Sequence, residues 1–301
     1  KDLLDYNPDV LILVDYPGFN LRIAEFAHDQ NFKVFYYISP QVWAWKKSRV
    51  RKIKKVVDRM FVILPFEKKF YADYNYAVDF VGHPLLDALP KSFDENDRKI
   101  FMGKNKLSDK PIIALLPGSR KQEINAILKV MLKLVKDFPE YQFIIGAAPS
   151  VQPDLYHYIV KNKPVKVIYN QMHNLLRFSE AALVTSGTAT LETALMEVPQ
   201  AVCYKGSAFS YYIARSIVKI KYISLVNLIM DRLIVKEFIQ HHLNENNLRE
   251  ELISLLYDKN YRNRMLSNYK LLKEKLGGHG ASASAANLMV SYLNQKPEQN
   301  Q

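Results

Sequence analysis

Pro111-Ile-Ile-Ala-Leu-Leu-Pro-Gly-Ser-Arg-Lys-Gln-Glu123 is the stretch on which the reading of this chain turns. The apolar run Ile112–Leu116 suits a strand buried on both faces, and Pro117-Gly118 turns the chain directly after it. A helix is then expected over 121–136, with Ser119 as its cap and Gln122 at the third helical position. Such a helix start presents free N–H groups and about half a positive charge, which attracts phosphate. Arg120 adds a planar, permanently charged fork beside those donors. Taken alone, the stretch is equally a capped turn with a solvated arginine. It is not a Walker loop, since no Gly-Lys-Ser/Thr ending follows.

The same alternation extends in both directions. Downstream strands are expected at 141–145, 165–169, 182–185 and 200–204, with helices near 153–161, 172–178 and 188–196. Upstream, strands at 10–14, 33–38, 59–64 and 78–81 alternate with helices near 21–30, 46–57 and 66–74. Repeated strand-then-helix units imply an α/β fold of parallel sheets with helices on both faces, and two such series give two Rossmann-like domains. In these folds ligands bind at the carboxyl ends of the strands, and here a cleft between the domains is expected. Residues 1–92 are assigned to the first domain, 93–110 to a polar linker with room for a short helix, and 111–278 to the second. Three further helices, 245–257, 261–276 and 281–294, form the tail, and 279–296 is expected to pack back on the first domain. The sheet opens abruptly after Lys1, so the first domain is read as truncated.

Composition narrows the function. Of 301 residues 49% are apolar, enough for a real core, and disordered or fibrous classes drop out. No run reaches the roughly 18 apolar residues of a spanning helix. The single cysteine, Cys203, excludes an internal disulfide framework and a thiolate zinc cluster, and fits a reducing compartment. The seven histidines are scattered without metal-ligand spacing, so neither a metal nor another cofactor is expected. Lysine and arginine number 42 against 30 acids, and the +12 surplus predicts an anionic partner: nucleic acid, anionic lipid or a phosphorylated substrate. Much of it lies in 46–59, where Lys46, Lys47, Arg49, Arg51, Lys52, Lys54, Lys55 and Arg59 face only Asp58. Val50, Ile53 and Val57 recur at helical spacing, so one stripe docks and the rest is cationic, either facing an anion or merely solvated.

Other segments carry candidate chemistry. Thr185-Ser-Gly-Thr-Ala-Thr-Leu-Glu192 repeats the strand-turn-helix logic: Gly187 permits close backbone approach, and Ser186 or Thr188 begins the helix. Glu192 either accepts hydrogen bonds from ribose hydroxyls or complements the helix dipole. In Val14-Asp-Tyr-Pro-Gly-Phe-Asn20, Asp15 ends a strand, where a carboxylate is a general base toward a hydroxyl or a cap. Ser39-Pro-Gln-Val-Trp-Ala-Trp45 is rich in aromatics for a loop, and Trp43 and Trp45 either line a substrate cleft or close the core. His83, in Val81-Gly-His-Pro84, ends a strand and is a candidate for the cleft. Phe209 to Asn227 mixes apolar bulk with Arg215, Lys219 and Lys221, as a lipid-facing or a core helix would. No Gly-x-Ser-x-Gly elbow supports a hydrolytic triad.

Together these residues resemble the lipid-A-disaccharide synthases, inverting glycosyltransferases of the GT-B fold. The likeness runs in order through Val14–Asn20, Ser39–Trp45, Leu64-Pro-Phe-Glu67, Val81-Gly-His83, Leu116-Pro-Gly-Ser-Arg120, Thr185–Glu192 and Tyr222-Ile-Ser-Leu-Val-Asn227. It implies transfer of 2,3-diacylglucosamine from its UDP derivative to the 6-hydroxyl of 2,3-diacylglucosamine 1-phosphate, giving a β-1,6-linked disaccharide phosphate and UDP. By the same resemblance Asp15 is the base and Arg120 the group that offsets charge on the leaving UDP. Gly118, Ser119, Ser186, Gly187, Thr188, Glu192 and Asn227 join Arg120 in the donor site. Trp43, Trp45 and the basic residues from Lys46 to Lys55 face the acylated acceptor and a membrane surface. The implied place is peripheral, on the inner face of the cytoplasmic membrane. Two departures stand out: the family begins with about one more Rossmann half-unit, and Gly18 stands where some members carry a second acid. Another UDP-sugar enzyme of this fold with a soluble substrate, such as an epimerase, is the alternative. Nucleic acid is not an expected partner, because the basic surplus reads as confined to one helix.

Overall fold

Helices cover both faces of each of two parallel sheets in the computed structural model, which describes residues 1–45, 49–90, 94–206 and 221–295. Within these residues the chain divides into two compact units, 1–88 with 274–295, and 89–206 with 221–273.

In the first unit, β1 (Leu11–Val14), β2 (Val34–Tyr37), β3 (Arg59–Val62) and β4 (Asp79–Phe80) pair in parallel in that order. Alternation along a strand sends Val34 and Tyr36 to one face and Phe35 to the other. The first face packs on the helices Pro17–Asp29 and Arg49–Val56 through Leu21, Ala24, Val50, Ile53 and Val56. The second packs on Ala285 and Met289 of the helix Ala281–Asn294, so the far end of the chain closes the first sheet. Asp87 fixes where that helix begins, its carboxylate accepting from the backbone N–H groups of Gly280 and Ser282 at 2.6 and 3.0 Å. Gly82 makes the close approach feasible. It has φ +88°, and a Cβ there would lie 3.3 Å from both the Ala281 Cβ and the Leu276 carbonyl oxygen.

In the second unit, β5 (Ile112–Leu116), β6 (Gln142–Ala147), β7 (Lys166–Tyr169), β8 (Ser179–Thr185), β9 (Gln200–Tyr204) and β10 (Glu237–Ile239) form one parallel sheet. Its order is β10-β9-β8-β5-β6-β7. The chain thus starts in the middle, winds outward one way, returns to the other side of β5 and winds outward again. The switch point lies between β5 and β8. Every residue of β5 is buried, as helices on both faces require.

Several elements depart from expectation for local reasons. The helix expected over 121–136 ends at Met131, and a 3₁₀ turn, Leu134–Asp137, carries the chain on. The stretch expected as a linker contains the helix Glu95–Lys104, opened by a reciprocal cap between Asp94 and Asp97. Its Phe101 is buried with its ring 5.4 Å from that of Phe178, which makes it part of the second unit's core. The three-residue strand β10 had no counterpart in the sequence reading, and the helix Leu225–Met230 overlaps the helix read over 209–227 only at residues 225–227. Among the described residues no helix is long and apolar enough to cross a membrane.

His83, expected at a cleft, is a buried structural residue. Its backbone N–H donates to the Leu276 carbonyl at 3.0 Å, and its Nδ1 accepts from the Leu85 N–H at 3.2 Å. Desolvation pushes its pKa from 6.5 down to about 4. Folding therefore favours the neutral ring. Its contribution is complete above pH 6.5 and is lost as pH falls toward 4. At most this amounts to about 3 kcal/mol. His83→Asn retains an acceptor near Nδ1 and cannot titrate. Urea unfolding at a series of pH values should show a shallower loss of stability between pH 6.5 and 4 in this variant. An unchanged slope would assign the acid sensitivity elsewhere.

Candidate functional site

A cavity of about 710 Å³ opens at the carboxyl ends of β5, β6, β7 and β8, over the switch point of the second sheet. Gly118 turns the chain out of β5 with φ +102°. A Cβ there would lie 3.0 Å from Glu123 Oε2 and 3.2 Å from Thr185 Cγ2, so no larger residue passes. The helix Lys121–Met131 starts at the expected residue, but its N-cap is Arg120, one residue after the expected Ser119, which puts Glu123 at the third position. Ser119 therefore sits too early in the turn to cap, and no side chain bonds the first N–H groups. The turn that carries them, Gly118 to Arg120, lines the cavity. The Arg120 guanidinium reaches Glu123 Oε1 at 2.7 Å, with the Arg120 side chain 80% exposed and Glu123 only 16%. An exposed pair of this kind contributes about 0–1 kcal/mol, so the guanidinium is easily drawn away.

The second turn mirrors the first across the switch point. The helix Thr188–Leu195 begins on Thr188, one of the two expected starts, with Gly187 at its N-cap and again no side-chain cap. The Ser186 hydroxyl is occupied elsewhere, donating to the Ile223 carbonyl at 2.8 Å. A Cβ at Gly187 would touch nothing within 4 Å, which leaves that wall open. Glu192 lies 3.0 Å from His173 Nε2 on the helix Met172–Arg177. Sequence reading missed His173 as a site residue. The available signal was positional, since the loop after every strand of this sheet opens on the same face. Gln171 also lines the cavity, and its amide exchanges hydrogen bonds of 3.2 and 3.3 Å with Asn105, at the end of the helix Glu95–Lys104. The presumed linker thus braces the rim.

Gly118, Ser119, Arg120, Ser186, Gly187, Thr188 and Glu192 all line this cavity, whereas Asn227 does not. Asn227 is fully buried and its amide is saturated. Nδ2 donates to the Val235 carbonyl and to Glu237 Oε1, both at 2.8 Å, while Oδ1 accepts from the N–H groups of Ile234 and Val235. No group remains for a ligand. Glu237 in turn accepts from the N–H groups of Ile223 and Ser224 at 2.9 Å. Asn227 therefore supports the segment that Ser186 holds, one layer behind the cavity wall.

In the first unit the ends of β1 and β2 are strained. Asp15 and Tyr16 have φ of 47° and 44°, and the β-branched Ile38 has φ 64°. Left-handed residues of this kind cost on the order of 1–3 kcal/mol each and cluster where function demands them. The Asp15 carbonyl is clamped by Tyr36 Oη and Asn20 Nδ2 at 2.5 and 2.7 Å. Its carboxylate is exposed and makes no hydrogen bond or ion pair among the described residues. Trp43 packs edge-on against Phe66, ring centroids 4.9 Å apart. Glu67 of the Leu64-Pro-Phe-Glu67 motif is buried and accepts from the Leu64 N–H at 3.0 Å, and burial pushes its carboxyl up to about 7. In the basic helix Arg51 and Lys55 are exposed, while Lys52 pairs with Glu25 at 2.6 Å and Lys54 reaches the Tyr74 carbonyl at 3.4 Å. Arg49 is half-buried and partnered. Lys46, Lys47, the Trp45 side chain and residues 207–220 lie outside the described residues.

With this geometry established, the lipid-A-disaccharide synthetase family model matches residues 1–289. The chain belongs to that family. Lipid-A-disaccharide synthase 1 of Legionella pneumophila (strain Paris) is 38% identical over 98% of this chain and 78% of its own length. The Nitrosococcus oceani lipid-A-disaccharide synthase is 39% identical over 97% and 76%. The chain is accordingly a hexosyltransferase of lipid A biosynthesis. Solved structures at lower identity share the fold. A Neisseria meningitidis UDP-GlcNAc 2-epimerase bound to UDP-GlcNAc gives a TM-score of 0.68 at 16% identity, over 96% of this chain and 78% of that one. The calicheamicin glycosyltransferase CalG4 gives 0.60 at 15%, over 98% and 76%. The architecture is thus that of the GT-B enzymes.

Asn227→Ala should behave as a structural lesion of this synthetase. It strands two buried N–H groups and a carbonyl, with an expected cost of about 2–4 kcal/mol in thermal unfolding. UDP affinity of the folded fraction, measured by calorimetry, should change only a few-fold. A selective loss of UDP binding with an unchanged melting temperature would restore Asn227 to the ligand site.

Proposed function

We propose that the cavity over the β5–β8 switch point holds the UDP-sugar donor, and that the enzyme transfers diacylglucosamine from UDP-2,3-diacylglucosamine to the 6-hydroxyl of 2,3-diacylglucosamine 1-phosphate. One observation carries the reading: two uncapped helix N-termini and an exposed arginine open on a single cavity. Each helix start stabilises an anion by up to about 2 kcal/mol in a partly buried setting. The diphosphate rests against the turns at Ser119 and Thr188, and Glu192, held by His173, accepts from the ribose hydroxyls. As the anomeric C–O bond breaks, its electron pair passes to the departing UDP, and Arg120 stabilises the charge that develops there.

The acceptor hydroxyl attacks the anomeric carbon from the opposite side, which inverts configuration and gives the β-1,6 bond. Asp15, exposed and unpaired on a strained strand end, takes the hydroxyl proton. The exposed cations Arg51 and Lys55 of the basic helix face the anionic lipid acceptor and the membrane. On this reading the enzyme sits peripherally, on the inner face of the cytoplasmic membrane.

Arg120→Ala should lower turnover about 10²-fold or more, the usual effect of losing one transition-state charge contact. Sugar transfer assayed with the acylated UDP donor measures this, and near-normal turnover would remove Arg120 from the mechanism. Asp15→Asn should abolish most turnover while UDP affinity, read by calorimetry, stays close to that of the parent. Equal loss of both would mark Asp15 as a structural residue.

A further inference from the structure

The second unit holds another cavity, larger than the proposed donor site. A volume of about 1080 Å³ opens at the starts of β6 and β7, near Gln142 and Lys166. The donor cavity lies at the other ends of these strands, about 15 Å away at the rise of a strand. Six lysines line it against one glutamate, Glu245, leaving five positive charges on one concave face. They come from three separate parts of the chain: Lys106 and Lys110 before β5, Lys133 and Lys136 after the helix Lys121–Met131, and Lys163 and Lys166 at β7. A local run of charge cannot account for that convergence.

The face is also structurally built. The Gln142 amide donates to the Ser108 carbonyl at 2.6 Å and accepts from the Ser108 N–H and hydroxyl at 3.2 Å, pinning the 106–110 turn to the sheet. Lys133 and Lys136 lean on Glu245 at 3.8 and 3.5 Å, and Lys110 donates to the Pro139 carbonyl at 2.6 Å. Lys106, Lys163 and Lys166 have no ion-pair partner among the described residues. Between the ammonium groups the lining is apolar, with Leu107, Val135, Tyr141 and Val165. The charge distribution corrects the expectation that one helix holds the basic surplus. The seven net charges of 46–59 and the five of this cavity equal the whole +12, so the rest of the chain is balanced.

We propose that this cavity is a docking surface for anionic phospholipid headgroups, with the lysines taking phosphates and the apolar floor accepting the glycerol and upper acyl carbons. Ammonium groups on flexible stems suit phosphates held at variable depth, and apolar surface between them favours an amphiphile over a fully solvated polyanion. The surface is distinct from the donor cavity and from the basic helix. It gives the second unit its own hold on the membrane.

The test uses the full chain and co-sedimentation with phosphatidylcholine vesicles, with and without phosphatidylglycerol. The parent should partition to the anionic vesicles and release at high salt. The triple variant Lys106→Gln, Lys163→Gln, Lys166→Gln should partition about 10²-fold more weakly, at roughly tenfold or less per lysine. Its melting temperature and UDP affinity should stay at parental values, since these side chains are exposed and remote from the donor cavity. A parallel Arg51→Gln, Lys55→Gln variant reads the basic helix independently, so its result bears on the proposed function alone. Parental partitioning by the triple variant would overturn the proposal. So would a triple variant that loses affinity for inositol hexaphosphate or single-stranded DNA while its vesicle binding stays intact, because the occupant would then be a soluble polyanion.

Discussion

Two helix starts converge on the seam between β5 and β8, and neither is capped by a side chain. Leaving several backbone donors unmet is costly unless water or a ligand takes them. The parallel sheet imposes the convergence. Once β5 and β8 are neighbours and both run the same way, the helices that follow them begin at the same edge. The glycines at 118 and 187 keep that edge clear, one because a side chain would strike Glu123 and Thr185, the other by leaving its wall open. Around this constraint the remaining residues act as supports. Asn105 holds Gln171, Ser186 holds the segment at Ile223, and Asn227 with Glu237 holds that segment from behind.

The extent to which this was legible in the sequence varies with the kind of signal. Short apolar runs such as Ile112–Leu116, and Ala201-Val-Cys-Tyr204 within the strand Gln200–Tyr204, appear at the expected positions, because burial on both faces leaves a continuous apolar signature. The Pro-Gly-Ser-Arg turn read correctly as a strand-to-helix corner, yet its cap was misplaced by one residue. A capping box depends on φ and ψ at the corner, and the left-handed Gly118 sets these. β10 was invisible because three residues, Glu237–Ile239, carry no period, and its polar Glu237 serves as a hydrogen-bond hub. His173 was overlooked for a related reason. Its partner Glu192 is 19 residues away, and only the winding of the sheet brings them within 3.0 Å.

Charge tells a complementary story. Sequence proximity reveals a run such as Lys46 to Lys55, whereas six lysines from three segments become a feature only in three dimensions. The first unit shows the same limit for strain. Nothing in Val14-Asp-Tyr-Pro-Gly or in Tyr37-Ile-Ser-Pro announces left-handed backbone at Asp15, Tyr16 and Ile38. Ile38 in particular is a residue type that avoids this region, and its neighbour Ser39 is buried against the Tyr71 hydroxyl at 2.7 Å. Packing over-determines the conformation there, which is how a fold maintains strain at the end of a strand.

The electrostatics of the proposed donor cavity explain why a charged ligand can enter a site that contains two carboxylates. Glu123 and Glu192 each have a hydrogen-bond partner already, Arg120 and His173. In the proposed donor complex a diphosphate competes with Glu123 for Arg120, and that competition is lopsided. The arginine side chain is 80% exposed, so little holds it to its present partner. Glu123, left behind, remains in the first turn of the helix Lys121–Met131, where the dipole continues to stabilise a negative charge by about 0.3–1 kcal/mol. The diphosphate, by contrast, gains two helix starts as well as the guanidinium. In the proposed mechanism, an arginine parked on a carboxylate that can do without it is thus a cation held in reserve for the leaving group.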